Sequence, residues 1–195
     1  MLMPKTLQNL EIISMATTAE WDKWLAKNCA KVDAIWLRIF KKDSGEKSIT
    51  YAEALDCALC HGWIDSKKRP CDSRSWLQRF GPRRSKGLWS KLNRGHAERL
   101  IKLGRMQPTG LVEIEKAKRE GRWEAAYDSP ASATIPEDFI AQLSRNKKAL
   151  AFFDTLNKTN RYSIAWRLQT AKKQETRQKR AKAIIEMLAR GQKFH

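Results

Sequence analysis

Histidine is scarce in this chain, with three among 195 residues, and the patterns that usually accompany catalytic histidine are missing. There is no GxSxG nucleophile elbow, no HExxH zinc helix, no kinase signature set and no GxxxxGK[ST] phosphate loop. No apolar run approaches the ~20 residues that a membrane helix requires. The opening MLMPKTLQNLEIISM lacks both an uninterrupted apolar core and a small-residue cleavage site, so it does not read as a secretory signal. Lipidation signatures are absent as well. The expectation is a cytoplasmic protein without membrane insertion, in which Cys29, Cys57, Cys60 and Cys71 are reduced thiols.

Acidic residues are also few, and their shortage is local. The formal net charge is +18, from 39 Lys/Arg and 21 Asp/Glu. Residues 66–105 carry 13 basic against 2 acidic side chains, and residues 145–195 carry 14 against 3. Residues 1–65 and 106–144 are slightly acidic, so two basic segments supply the whole excess. Side by side, they would form a face that attracts polyanions. The bland alternative is a solvated basic surface with no partner. Hydrophobic content of 42% and eight tryptophans indicate a folded, globular chain.

The pattern along the chain reads as α+β, with a mostly α arrangement as the alternative. Residues 1–16 look like a flexible leader, and residues 17–128 an α+β domain. Residues 129–136 (SPASATIP) form a linker, and residues 137–195 are helical. Thr17-x-x-Glu20 and Thr50-x-x-Glu53 are capping boxes, each placed to start a helix. IWLRIF (35–40) alternates as a strand, and residues 63–68 and 73–80 read as two more, joined through Pro70 and Asp72. These strands predict a small antiparallel sheet. Placing Trp76 beside Trp36, Arg38 and Phe40 gives it one aromatic, basic face. Gly62 is suited to end the second helix in a left-handed cap. From residue 88 the pattern turns helical. Trp89, Leu92, His96, Leu100 and Leu103 form one stripe, and Thr134-x-x-Glu137 with Pro136 starts a later helix.

CALCH (57–61) matches the letters of a c-type haem attachment site. Haem attachment normally requires export, and the segment reads better as an amphipathic helix in which cysteine acts as a small buried hydrophobe. A redox CxxC places its nucleophile at a helix N-terminus, whereas Cys57 lies well inside. A zinc site would need further ligands, for which Cys71 and His96 lack suitable spacing. No metal or cofactor is therefore expected.

The candidate sites are basic and aromatic. GPRRSKG (81–87) is a glycine-flanked loop in which Arg83, Arg84 and Lys86 could hold an anion near the start of the next helix. Lys173, Arg177 and Arg180 lie at i, i+4 and i+7 on the last helix and share a face. Trp36 and Trp76 are candidate stacking surfaces, and Asp65 is the one acid set among cations near this segment. No catalytic residue can be named.

The stretches ALCHGWIDS (58–66), QRFGPRRSKGLWSKLNR (78–94), GRMQPTG (104–110), AKREGRWEAAY (117–127) and ETRQKR (175–180) resemble the YdeI/OmpD-associated family, also called OmdA-like or bacteriocin-protection proteins. The resemblance extends from about Thr17 onward. It implies a bacterial, cytoplasmic accessory protein and brings no established reaction. The matching positions Trp63, Asp65, Arg83, Arg84, Trp89, Asn93, Arg105, Arg177 and Arg180 become candidates for a shared site. Three functional readings follow. The first is a non-enzymatic binder of an anionic partner, with nucleic acid phosphate foremost. The second is an enzyme or sensor that holds a small anion between Asp65 and nearby arginines. The third is a protein-interaction adaptor in a stress response.

Overall fold

The computed structural model of the chain describes residues 10–195. Most of the expected leader (1–16) lies outside them, but Ile12–Ser14 forms a strand, β1. The chain divides into two units: residues up to Gly87 with Asn93–Glu124, and Leu88–Leu92 with Ala125–His195. The division thus falls ahead of the expected linker at 129–136.

The N-terminal unit is α+β. Helix α1 (Thr18–Asn28) starts at Thr17, whose hydroxyl accepts the Glu20 N–H at 3.2 Å. The box is not reciprocal, because the Glu20 carboxylate takes the Ala16 N–H instead. Strand β2 (Ile35–Phe40) follows, then α2 (Tyr51–Cys60), where Thr50 and Glu53 close a complete capping box. Gly62 adopts φ 75° and turns the chain into β3 (Trp63–Pro70), which returns as β4 (Ser75–Pro82). The sheet order is β1-β2-β4-β3. β4 runs antiparallel to both neighbours, as the alternation predicts, and β1 adds a parallel edge strand.

Helices α3 (Lys91–Lys102) and α4 (Pro108–Arg119) follow. The stripe expected on α3 is rotated: Ala97 and Leu100 are buried, while Leu92 and Leu103 are 57% and 60% exposed. A helix buries the side chains its neighbours cover, and the leucines at both ends of α3 lie outside that arc. α4 approaches α2 closely enough that a Cβ on Gly110 would sit 2.3 Å from the Cys60 carbonyl oxygen. Trp21, Trp63 and Phe80 form an aromatic cluster between α1 and the sheet, and Trp21 Nε1 donates to the Ala54 carbonyl on α2.

The C-terminal unit consists of α5 (Glu137–Leu143), α6 (Lys147–Asp154), α7 (Lys158–Gln169) and α8 (Gln174–Ala189). Its core joins Phe139, Leu143, Phe153, Ile164 and Leu168 with the α8 stripe Ala181, Ile184 and Leu188. The helix expected from Thr134-x-x-Glu137 forms as α5, with Pro136 as its N-cap and no side chain capping it. Asn146 and Asn157 cap α6 and α7. Tyr127 and Asp128, just ahead of the expected linker, are tied to this unit. The Tyr127 N–H donates to the Trp89 carbonyl, and Asp128 pairs with Lys91 at 2.7 Å.

Candidate functional site

The register of β2 against β4 decides what the sheet presents. Trp36 lies opposite Arg79, Arg38 opposite Leu77 and Ile39 opposite Trp76. Directly paired residues point to the same side of a sheet. One side therefore carries Ile35, Leu37, Ile39, Trp76, Gln78 and Phe80, with Trp63 and Asp65 of β3, and faces α1. The other carries Trp36, Arg38, Phe40, Leu77 and Arg79 from β2 and β4, and Arg69 from β3. An aromatic, basic face exists, but Trp76 is not on it. Its placement depends on register, and a shift of one residue moves a side chain to the opposite face.

Both tryptophans carry a cation over the ring. Trp36 is 3% exposed, with the Arg69 guanidinium 4.4 Å above its ring. Trp76 is half-buried and carries the Lys68 ammonium at 4.7 Å, while Arg38 covers Phe40 at 4.5 Å. The cations have taken the π-faces that bases were expected to use.

The cations themselves are more available. Arg38, Arg74, Arg94, Arg99 and Arg122 each pair with a carboxylate. Among the described residues, Arg69, Arg79 and Arg84 pair with none. Arg79 donates one N–H to the Ser66 hydroxyl at 3.1 Å, while its Nε is buried without a partner. Burial, and then the neighbouring charge of Arg84, hold Arg79 below the usual guanidinium range. Arg79 thus feels the charge of Arg84 while one of its nitrogens rests on the Ser66 hydroxyl. Arg84 and Lys86 are exposed in the loop after β4. Arg69 and Arg79 are the residues that sequence reasoning missed. Only the strand register sets them beside Trp36.

Asp65 belongs to a separate polar cluster on the α1-facing side. Its carboxylate accepts the Tyr51 hydroxyl at 2.9 Å and the Gln78 amide at 3.4 Å. Burial pushes the Asp65 carboxyl up, opposed by the Tyr51 hydrogen bond and the Arg83 charge. Burial and the same carboxylate push the Tyr51 phenol up in turn. Arg83, expected to join Arg84 and Lys86, thus acts on Asp65, and its backbone N–H closes onto the Gly62 carbonyl.

The remaining expected site residues lie in varied surroundings. Trp63 is 1% exposed and donates Nε1 to the Cys29 carbonyl. Trp89 is 2% exposed and Asn93 is half-buried in the first turn of α3. At that helix start the Lys91 N–H donates to the Tyr127 carbonyl. Arg105 is exposed, with one guanidinium nitrogen 3.9 Å from Cys57 Sγ. Cys57 and Cys60 are buried, and burial pushes each thiol up to about 11. His61 contacts Asp22 at 3.0 Å, and His96 contacts Asp56 at 3.0 Å beside Arg99. Among the described residues, no group of three or more His, Cys, Asp or Glu is placed to hold a metal ion. Nor is any of their helices long and apolar enough to cross a membrane.

In the C-terminal unit the expected basic stripe separates into three environments. Lys173 is the exposed N-cap residue of α8. Arg177 forms a two-pronged pair with Asp138, so its charge is already matched. Arg180 turns toward α7 and donates to the Arg167 carbonyl at 2.7 Å and the Thr170 hydroxyl at 3.3 Å. It lines a cavity of about 400 Å³ with Trp166, Arg167, Ala183, Ile184, Met187 and Phe194.

Two family models match the chain. Residues 13–113 match the domain of unknown function DUF8412, and residues 132–191 match OmdA, described as Bacteriocin-protection, YdeI or OmpD-Associated. The ETRQKR stretch lies inside the OmdA match, whereas GWIDS and GRMQPTG lie inside the other. No curated protein and no solved structure gives a significant match. Since the first match spans more than half of its length, the chain belongs to the DUF8412 family, and it carries an OmdA segment at residues 132–191.

Proposed function

We propose that this chain is a non-enzymatic accessory protein, of the bacteriocin-protection type that its OmdA segment suggests, which binds nucleic acid phosphates through its N-terminal unit. The observation that carries the reading is the set of Arg69, Arg79 and Arg84, which pair with no carboxylate among the described residues. Within that set, a guanidinium nitrogen of Arg79 is buried without an acceptor. A phosphate on the outer nitrogens of these groups would offset the repulsion between Arg79 and Arg84. The excess of 13 basic over 2 acidic residues across 66–105 supports a polyanion over a single small ion.

Base stacking is not part of the mechanism, since Arg69 and Lys68 already cover Trp36 and Trp76. Backbone phosphates are the contacts, and affinity is therefore indifferent to base sequence. The rival reading places a small anion on Asp65 and nearby arginines. That carboxylate already accepts from Tyr51 and Gln78, which favours a supporting role. Fluorescence anisotropy with labelled duplexes of unrelated sequence tests the proposal. Equal affinity across sequences, falling steeply with salt, supports it; absence of binding near physiological salt refutes it.

A further inference from the structure

The cavity in the C-terminal unit has a composition of its own. Its wall is apolar where Trp166 of α7, Ala183, Ile184 and Met187 of α8, and Phe194 of the tail meet. Among the described residues that line it, Arg167 and Arg180 carry the charge. At about 400 Å³ it falls within the ~300–1,000 Å³ range of small-molecule sites.

Each of the two arginines is held through one nitrogen. Arg180 spends Nη1 on the Arg167 carbonyl and the Thr170 hydroxyl. Arg167 spends Nη1 on the Ser163 carbonyl, and its guanidinium lies 3.6 Å from the centre of the Phe194 ring. Among the described residues neither pairs with a carboxylate, and the Nε–Nη2 edge of each makes no hydrogen bond to protein. That edge is the side-on fork which a carboxylate engages with two parallel hydrogen bonds. Burial, and then the charge of Arg180, also hold Arg167 below the usual guanidinium range, a strain that an anion between them would relieve.

We propose that the C-terminal unit binds a small carboxylate with an apolar body, the carboxylate on Arg167 and Arg180 and the body against Trp166, Ile184, Met187 and Phe194. The site is separate from the phosphate seat on the sheet and rests on the C-terminal unit alone. An apolar wall gains nothing from a bare phosphate, and a neutral ligand would leave the guanidinium edges unmatched.

Calorimetric titration of the full chain with octanoate and 3-phenylpropanoate, against their amides and inorganic phosphate, tests this. The acids should bind saturably, the amides at least tenfold more weakly, and phosphate should not displace the acids. Arg180→Gln and Arg167→Gln should each weaken the acids at least tenfold. Because Arg180 also ties α8 to α7, Ala183→Phe serves as a second variant. Ala183 is exposed on α8, so a phenyl ring there fills the cavity without disturbing the core, and should abolish binding with thermal unfolding unchanged. Amides that bind as well as the acids, an Ala183→Phe variant that binds like the parent, or no saturable binding at millimolar acid would each overturn the assignment.

Discussion

Replacing Gly110 by alanine should destabilise the N-terminal unit although alanine is the better helix former. Within a helix, Gly→Ala gains about 1 kcal/mol from reduced backbone freedom in the unfolded chain. At Gly110 the added Cβ would meet the Cys60 carbonyl oxygen at 2.3 Å, its carbon at 2.9 Å and Met106 Sδ at 2.6 Å. Met106 can swing away, but the Cys60 carbonyl is backbone at the end of α2 and accepts the Gln107 N–H at 3.1 Å. Relief therefore requires α2 and α4 to separate by roughly an ångström, since carbon contacts settle near 3.5 Å. Overpacking of that kind costs about 3 kcal/mol at the upper end of its range. The net loss is then about 2 kcal/mol, after subtracting the propensity gain of about 1 kcal/mol. Gly95 on α3 is the control, because nothing lies within 4 Å of a Cβ there. Urea unfolding should show Gly110→Ala shifted to lower midpoint and Gly95→Ala to equal or higher midpoint. A Gly110→Ala variant as stable as the parent would refute the packing described for α2 and α4.

Further expectations concern ionisation and thiol access. Asp65 is held above its ordinary value, so the folded state disfavours its charged form and gains stability as the pH falls toward that value. Asp65→Asn, which keeps an acceptor for Tyr51, should raise the thermal midpoint at pH 7, with the benefit vanishing in acid. The opposite sign holds for Asp128, whose carboxyl is held low by Lys91 and Gln169. Its contribution is complete above the ordinary carboxylate range near ~4 and is lost as pH drops through the lower folded value. Asp128→Asn should therefore be less stable than the parent at pH 7 and converge with it near pH 2 in a series of melts. Cys71 is exposed, whereas Cys57 and Cys60 are buried with thiols pushed up to about 11. An aromatic disulfide reagent at pH 8 should label Cys71 quickly, and Cys57 and Cys60 only after denaturation, as peptide mapping would show.

What the sequence reveals here is what depends on neighbours along the chain. Thr50 and Glu53 cap α2 from three residues apart, and Ile35–Phe40 alternates as a strand must. Gly62 takes the left-handed φ of a helix stop, and Ala181, Ile184 and Leu188 bury at helical spacing. What stays hidden is set by partners far away. β1 is three residues long, too short to alternate visibly, and is fixed only by pairing with β2. The face of Trp76 depends on the offset of β4 against β2, which no local signal encodes. Arg177 pairs with Asp138, 39 residues earlier, which the basic stripe of its own helix does not show. The surroundings of Arg79 are set by Ser66, Arg84 and its position opposite Trp36. Charge excess was legible in the sequence, but which charges are already matched was not.

The salt dependence of DNA binding by the chain and by its Arg79→Gln/Arg84→Gln variant bears most closely on the proposed phosphate seat. Each phosphate contact contributes about −0.9 to the slope of log K against log salt concentration on duplex DNA. If Arg79 and Arg84 hold two phosphates, the variant should lose affinity on every sequence and its slope should flatten by about 1.8. An unchanged slope and affinity in a folded variant would mean that these guanidinium groups hold no nucleic acid.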